Sequence, residues 1–255
     1  MTERFPADWL VPGWPVGEGV HAACSVRTGG VSSGPHESLN LGDHVQDDPA
    51  SVAENRRRFA QVLQARPVFL SQVHGAGVVR LDGSTRDGTQ ADACWTTERG
   101  VACTIMVADC LPVLLADAKG QAVGAAHCGW RGLAGGVIEA LWSAMRPQLG
   151  AAAPDVHAWL GPCIGPEAFE VGPEVREAFT AHEAAAASSF RATRGGKFLA
   201  DLPALARQRL HALGIERISG NDGSAEWCTV SNPSRFFSHR RDRLSGRFAA
   251  ACWLG

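Results

Sequence analysis

Residues 121–145 read QAVGAAHCGWRGLAGGVIEALWSAM. The run opens as a strand, QAVGAAHCGW, and a glycine-rich turn carries it into a helix, RGLAGGVIEALWSAM. Just upstream, GVACTIMVADCLPVLLAD (100–117) reads as apolar strands interrupted near Asp109-Cys110-Leu111-Pro112. Side chains alternate between the two faces of a strand. His127 and Cys128 therefore point opposite ways, and the same rule separates Asp109 from Cys110. One member of each pair faces a cleft and the other packs. If the two strands are neighbours, Cys110 and His127 emerge at one edge.

The surrounding chain alternates strand-like and helical segments. Asp48 caps a helix that begins at Pro49, with Val52, Phe59 and Leu63 at helical spacing. VHAWLGPCIG (156–165) is a strand ending in a Gly-Pro turn, and GPEVREAFTAH (172–182) is a helix. DLPALARQRLHALG (201–214) is another helix, capped by Asp201 and stopped by Gly214. AAAASSFRATRGG (184–196) reads as a surface excursion between two helices. The C-terminal segment from Arg235 reads as two strands around the turn RDRLSG (241–246). Strand runs are mixed with β–α units and no repeat is visible, so the expected class is α+β with mixed sheets.

Composition bounds the rest. The 255 residues can bury one sizeable core, which favours a single domain over 1–255. Apolar residues make up 45% and the net charge is −2, with the arginines dispersed, so neither nucleic acid nor an anionic membrane is the expected partner. The N-terminal stretch MTERFPADWLVPGWP lacks the layout of a signal peptide, and no apolar run reaches the ~18 residues that span a bilayer. The expected location is the cytoplasm. Eight cysteines occur without a CxxC pair, and several, such as Cys103 and Cys252, lie in apolar runs as small buried hydrophobes.

His74, in LSQVHGAGVV (70–79), also follows an apolar run and precedes glycine. A histidine, a cysteine and a histidine match the three-ligand count of a catalytic zinc site. Spacing alone leaves open whether these three meet or are simply hydrogen-bonded. The turn after His127 is neither GxxxxGK[ST] nor GxGxxG, so it carries no nucleotide fingerprint. Tight helix–sheet packing explains its glycines, and Arg131 remains free to hold an anion bidentately.

A set of motifs in fixed order draws these fragments together: SVRTGGVSSGP, SLNLGDHVQDDPASVAENRRR, LSQVHGAGVV, ADACWTT, VADCLPVLLAD, AAHCGWRGLAGGVIEA, AWLGPCIGPEAFEVGPEV and FFSHRRDRLSGRFAAACWL. Over nearly its whole length the chain resembles the YfiH-like family, also called the laccase-domain or multicopper polyphenol oxidase family. The resemblance implies a four-layer α/β/β/α sandwich. It also implies a metal and catalytic site of His74, Cys110 and His127, holding zinc, with copper able to occupy the same ligands. On the substrate side it implies Asn40, Arg56 and Arg131, together with Arg27, Ser238, Arg240 and Arg241. Three positions depart from the family pattern: Cys128 stands for a usual alanine, Val107 for a common threonine, and His239 for a common tyrosine. The chain has no tyrosine at all.

The family name suggests copper oxidation of phenols. Several coppers need many histidines, typically in HxH pairs, whereas this chain has nine histidines and no HxH. The resemblance also implies phosphorolysis of adenosine, inosine and methylthioadenosine, with adenosine deamination as a side activity. The zinc-deaminase signature H-x-E…P-C-x-x-C is absent. Other readings are an amidase that removes misincorporated L-serine from the nucleotide-linked muramyl precursor, and a hydrolase with Cys110 as nucleophile and His127 as base. A zinc-stabilised binding module is the non-enzymatic reading. The expected partner is a small molecule, purine nucleoside with phosphate, and the sequence leaves oligomeric state open.

Overall fold

The computed structural model describes residues 5–150 and 155–255. The first four residues of the stretch read for a leader lie outside the described residues. In chain order the elements are β1 (Val20–Cys24), α1 (Pro49–Leu63), β2 (Arg66–Phe69), β3 (Val78–Arg80), β4 (Ala93–Thr96), β5 (Val101–Val107), β6 (Leu111–Asp117), β7 (Val123–Cys128), α2 (Trp130–Ala134), α3 (Val137–Met145), β8 (Val156–Leu160), β9 (Glu170–Val171), α4 (Pro173–Thr180), β10 (Phe190–Ala192), β11 (Phe198–Ala200), α5 (Leu202–Ala212), β12 (Arg217–Gly220), α6 (His239–Asp242) and β13 (Phe248–Leu254).

Two mixed sheets form the centre. One has the order β1-β13-β5-β2, and only its β2–β5 pair is parallel. The other has the order β12-β8-β6-β7-β4-β3, antiparallel except at its two edge pairs. They face each other across an apolar core that includes Ile105, Leu114, Val123 and Trp253. Two thiols cross that layer. Cys103 Sγ donates to the Val123 carbonyl at 3.7 Å, and Cys252 Sγ to the Gly124 carbonyl at 3.2 Å. A second core, with Leu115, Ala126, Leu141 and Leu205, lies between the six-stranded sheet and helices α3 and α5. Helix α1 packs beside β2, burying Val52, Phe59 and Leu63. The mixed α+β class is therefore as expected. Among the described residues, no helix is long and apolar enough to cross a membrane.

Local chemistry explains the best-read boundaries. Asp48 Oδ2 accepts from Ser51 N at 2.9 Å with Pro49 at the first helical position, and Asp201 Oδ1 accepts from Ala204 N at 2.8 Å. The glycine-rich turn yields two helices rather than one, because Gly136, at φ 87, breaks the chain between α2 and α3.

One expectation needs filling in and two need correction. Residues 184–196 do run between two helices, α4 and α5, but they carry regular structure. A 3₁₀ turn over Ala184–Ser189 leads into β10, which pairs with β11, and β11 pairs with β9 in a small third sheet. Phe190 anchors it against Phe179 and Phe198, with ring centroids 6.0 and 6.4 Å away. The C-terminal segment holds one strand, not two. Ser238 accepts from Arg241 N at 3.2 Å and starts the short helix α6, so the stretch before the turn never joins a ladder. Finally, strand alternation does not separate Asp109 from Cys110. Both lie in the connection between β5 and β6, where Asp109 takes φ 94, and both face the same cavity.

Candidate metal and substrate site

The site is assembled from one strand end and two connections. In the β6–β7 ladder Leu111 pairs with Cys128 and Pro112 with His127, which sets Cys110 beside the end of β7. His127 is buried facing the cavity, while Cys128 turns into the helix-side core. Alternation thus splits the His-Cys pair as the sequence implied. His74 sits in the loop after β2 with φ 61, a left-handed conformation costly for a residue other than glycine.

Asp92 holds that loop in place. Its fully buried carboxylate accepts the backbone N–H groups of Val73 (3.2 Å), His74 (2.8 Å) and Gly75 (2.7 Å). The same carboxylate accepts Nδ1–H of His127 at 2.9 Å, and the Asp92 carbonyl accepts the His127 N–H at 2.7 Å. This fixes the His127 tautomer, leaving Nε2 as the other ring nitrogen. Burial pushes the Asp92 carboxyl up, but His127 and the backbone donors outweigh it and hold the group below its ordinary value.

One ligand atom each from His74, Cys110 and His127 lies within 4.8 Å of the others. Cys110 Sγ is 3.8 Å from His74 Nε2, and the two imidazole centroids are 4.7 Å apart. Two nitrogens and a sulfur, with a carboxylate behind one histidine, match the ligand set and orienting carboxylate of a zinc site with an open position. Burial pushes the Cys110 thiol up, but His127 and then His74 pull it down to about 6. Burial pushes His127 down, but Cys110 and Asp92 raise it to about 9. Each group favours the charged form of the other: Cys110 is poised as thiolate, the form that binds metal, and His127 would give up its Nε2 proton to join it as a ligand. Gly129 is part of the cradle. A Cβ there would stand 2.9 Å from His74 Cδ2 and 3.0 Å from Cys110 Sγ.

The triad opens into a cavity of about 430 Å³. Of the residues expected around substrate, Arg131 and Arg240 line it. Asn40, Arg56, Arg27, Ser238 and Arg241 do not. Arg56 Nε donates to the Leu41 carbonyl, and its guanidinium lies 4.2 Å from the Phe69 ring centroid. Arg27 donates to the Glu37 and Pro233 carbonyls. Arg241 donates to the Thr229 and Phe236 carbonyls and pairs with Asp242. Buried Asn40 donates to Asp47 at 2.8 Å and accepts from Arg247 N at 2.8 Å. These groups are engaged inside the protein. His239 does line the cavity, together with His44, Arg243, Arg247, Trp130 and Phe169. None of that group is among the site residues expected from sequence, where His239 stands only as a departure from the family pattern, nor is Asp92, although ADACWTT carries a signal: an acid immediately before an apolar strand.

Residues 21–255 match the family model described as multi-copper polyphenol oxidoreductase laccase. The chain is 50% identical over 247 residues to a purine nucleoside phosphorylase of Pseudomonas aeruginosa, covering 96% of this chain and 98% of that one. It is 48% identical over 249 residues to the purine nucleoside phosphorylase YfiH of Escherichia coli, with 96% and 98% covered. Among solved structures, a Neisseria meningitidis protein superposes with a TM-score of 0.90 at 42% identity, covering 97% of this chain and 99% of that one. YlmD of Geobacillus stearothermophilus does so with a TM-score of 0.84 at 33% identity, covering 96% of each chain.

Proposed function

The chain belongs to the multi-copper polyphenol oxidoreductase laccase family, and from that premise we propose that it is a zinc-dependent purine nucleoside phosphorylase. The observation that carries the reading is one cavity that joins a His-Cys-His ligand set to aromatic faces and arginines. Among the described residues this is the one His/Cys/Asp/Glu cluster compact enough for a metal, which favours a single ion over a multicopper assembly. The names of the relatives support the nucleoside reading.

In phosphorolysis a phosphate oxygen bonds to C1′ of the ribose as the C1′–N bond breaks. The electron pair leaves with the purine, which takes a proton. The chain's residues divide that work. Trp130 and Phe169 offer apolar faces for the purine. The cavity arginines hold phosphate and offset its charge as it approaches the sugar. Asp92 keeps His127 oriented and the His74 loop closed on Cys110. His74, Cys110 and His127 would hold zinc, which would supply Lewis-acid polarisation of a substrate oxygen or nitrogen. Adenosine deamination is the side activity proposed for the same cavity.

The test is metal-loaded protein with adenosine and inorganic phosphate. Adenine and ribose 1-phosphate are expected, with adenine release dependent on phosphate. No adenine, together with turnover of the seryl muramyl precursor, would replace this reading by the amidase. No turnover of either substrate would leave the binding module.

A further inference from the structure

The cavity is divided in character. Trp130, Ile164, Phe169 and Leu202 belong to the core between the six-stranded sheet and the helices. His44 and Arg247 come from the other side of the molecule. Arg247 immediately precedes β13 of the four-stranded sheet, and its backbone N–H is fixed by Asn40. Of the arginines expected on the substrate side, the two that line the cavity, Arg131 and Arg240, sit beside its aromatic residues. The Arg131 guanidinium carbon is 4.4 Å from the Trp130 ring centroid, and that of Arg240 is 5.5 Å from the Phe169 centroid. Arg240 also donates to the Glu170 carbonyl at 3.2 Å.

Arg243 and Arg247 differ. Neither has an ion pair among the described residues, and Arg243 makes no side-chain hydrogen bond there. Arg247 is partly buried, and its NH1 alone is occupied, by the Ser245 (2.8 Å) and Gly246 (3.0 Å) carbonyls and the Ser245 hydroxyl. Its Nε and NH2 carry no bond within the described residues. The carboxylate that lines the same cavity, Asp109, forms no ion pair with either arginine among the described residues, although its charge and that of Cys110 act on Arg247. Its two oxygens are taken by the Thr229 hydroxyl and the Arg240 N–H, each at 2.6 Å. A guanidinium partly withdrawn from water without a carboxylate partner is costly to keep, and Arg247 lines the cavity with two donor nitrogens unspent.

We propose that Arg243 and Arg247, with His44 beside Arg247, form the seat for inorganic phosphate, and that the purine lies at the Trp130–Phe169 end. The assignment rests on the phosphorylase reading and deepens it. It also gives Asn40 a role without substrate contact: it positions Arg247 through the backbone. His74, Cys110 and His127 line the same cavity, and the sugar would lie between phosphate and base, with C1′ facing both.

Two measurements on metal-loaded protein test this. Calorimetric titration with inorganic phosphate reads the seat without turnover, and steady-state kinetics separate the KM for phosphate from that for inosine. Arg243→Gln, an exposed position, should weaken phosphate binding and raise its KM about tenfold, the loss expected for one charge-assisted contact. Its KM for inosine should stay within about twofold on the same reasoning. Arg247→Lys should weaken phosphate similarly, since it keeps the charge but loses the fork. Phosphate binding unchanged in both variants, or lost instead in Arg131→Gln and Arg240→Gln, overturns the assignment. Purine release independent of phosphate in the unaltered protein sinks the phosphorylase reading. In that event the calorimetric result still decides the seat.

Discussion

At the scale of single residues, Cys110 stands apart from the other thiols. Seven of the eight cysteines are buried, and Cys110 alone is partly exposed. Native apoprotein should therefore react with a thiol reagent at one position, and zinc loading should protect it. Reaction at several thiols, or none protected by metal, would count against the ligand set. Gly129→Ala tests the cradle without touching a ligand. The added methyl meets Cys110 Sγ and the His74 ring at about 3 Å, so metal retention measured by elemental analysis should fall while circular dichroism stays unchanged. Asp92→Asn keeps the shape and removes the charge behind His127. Loss of such a partner typically lowers metal affinity about 10–100-fold, measurable by competition with a chelator. The ligands were legible in the sequence because histidine and cysteine at strand ends are chemically distinctive and the family resemblance joined them. Asp92 was not, because it lies 18 residues from His74 and 35 from His127, and only the folded ladder brings it to both.

Among elements, the loop from Arg27 to Asp47 behaves as a built polar unit. Asn55 on α1 donates to the Ser32 hydroxyl and the Ser38 and Asn40 carbonyls, and its Oδ1 accepts Val31 N–H. Asp47 accepts from Ser32 at 2.6 Å and Asn40 at 2.8 Å, with His36 3.6 Å away. Burial pushes the Asp47 carboxyl up, but these donors and His36 hold it below its ordinary value. A carboxyl held low in the folded chain adds stability above its unfolded-state value, about 3.9. That contribution is lost as pH falls through the lower folded value. Asp47→Asn should therefore destabilise the protein at neutral pH and flatten the acid limb below about pH 4, read from urea midpoints across pH. On the other side of the molecule, a Cβ at Gly124 of β7 would meet Leu141 Cδ1 at 3.0 Å and the Cys94 carbonyl at 3.2 Å. Gly124→Ala should cost about 1–3 kcal/mol by overpacking α3 on the sheet. Helices with their own caps were readable because the signal is local. The third sheet was not, since its three short strands depend on Phe190 meeting aromatic partners from α4 and β11.

For the whole molecule, the shared inter-sheet core implies that the two large sheets unfold together, and the single-domain expectation becomes testable. Guanidinium titration should release the seven buried thiols in one step that coincides with loss of helical signal. Two separated steps would divide the chain. Two cavity-lining arginines escaped the sequence for a reason at this scale: Arg243 and Arg247 lie just before β13, which inserts between β1 and β5 and so carries the chain's end to the cavity. That insertion also constrains biosynthesis. Ser25 and Ala249, bonded side by side, are 224 residues apart along the chain. On the ribosome, β1 has only the Leu10–Cys24 bridge until residues 248–254 emerge, so the four-stranded sheet closes only after nearly all of the described chain has been translated. Nascent chains arrested before Phe248 should remain protease-sensitive, their emerging apolar strands in need of shelter from aggregation.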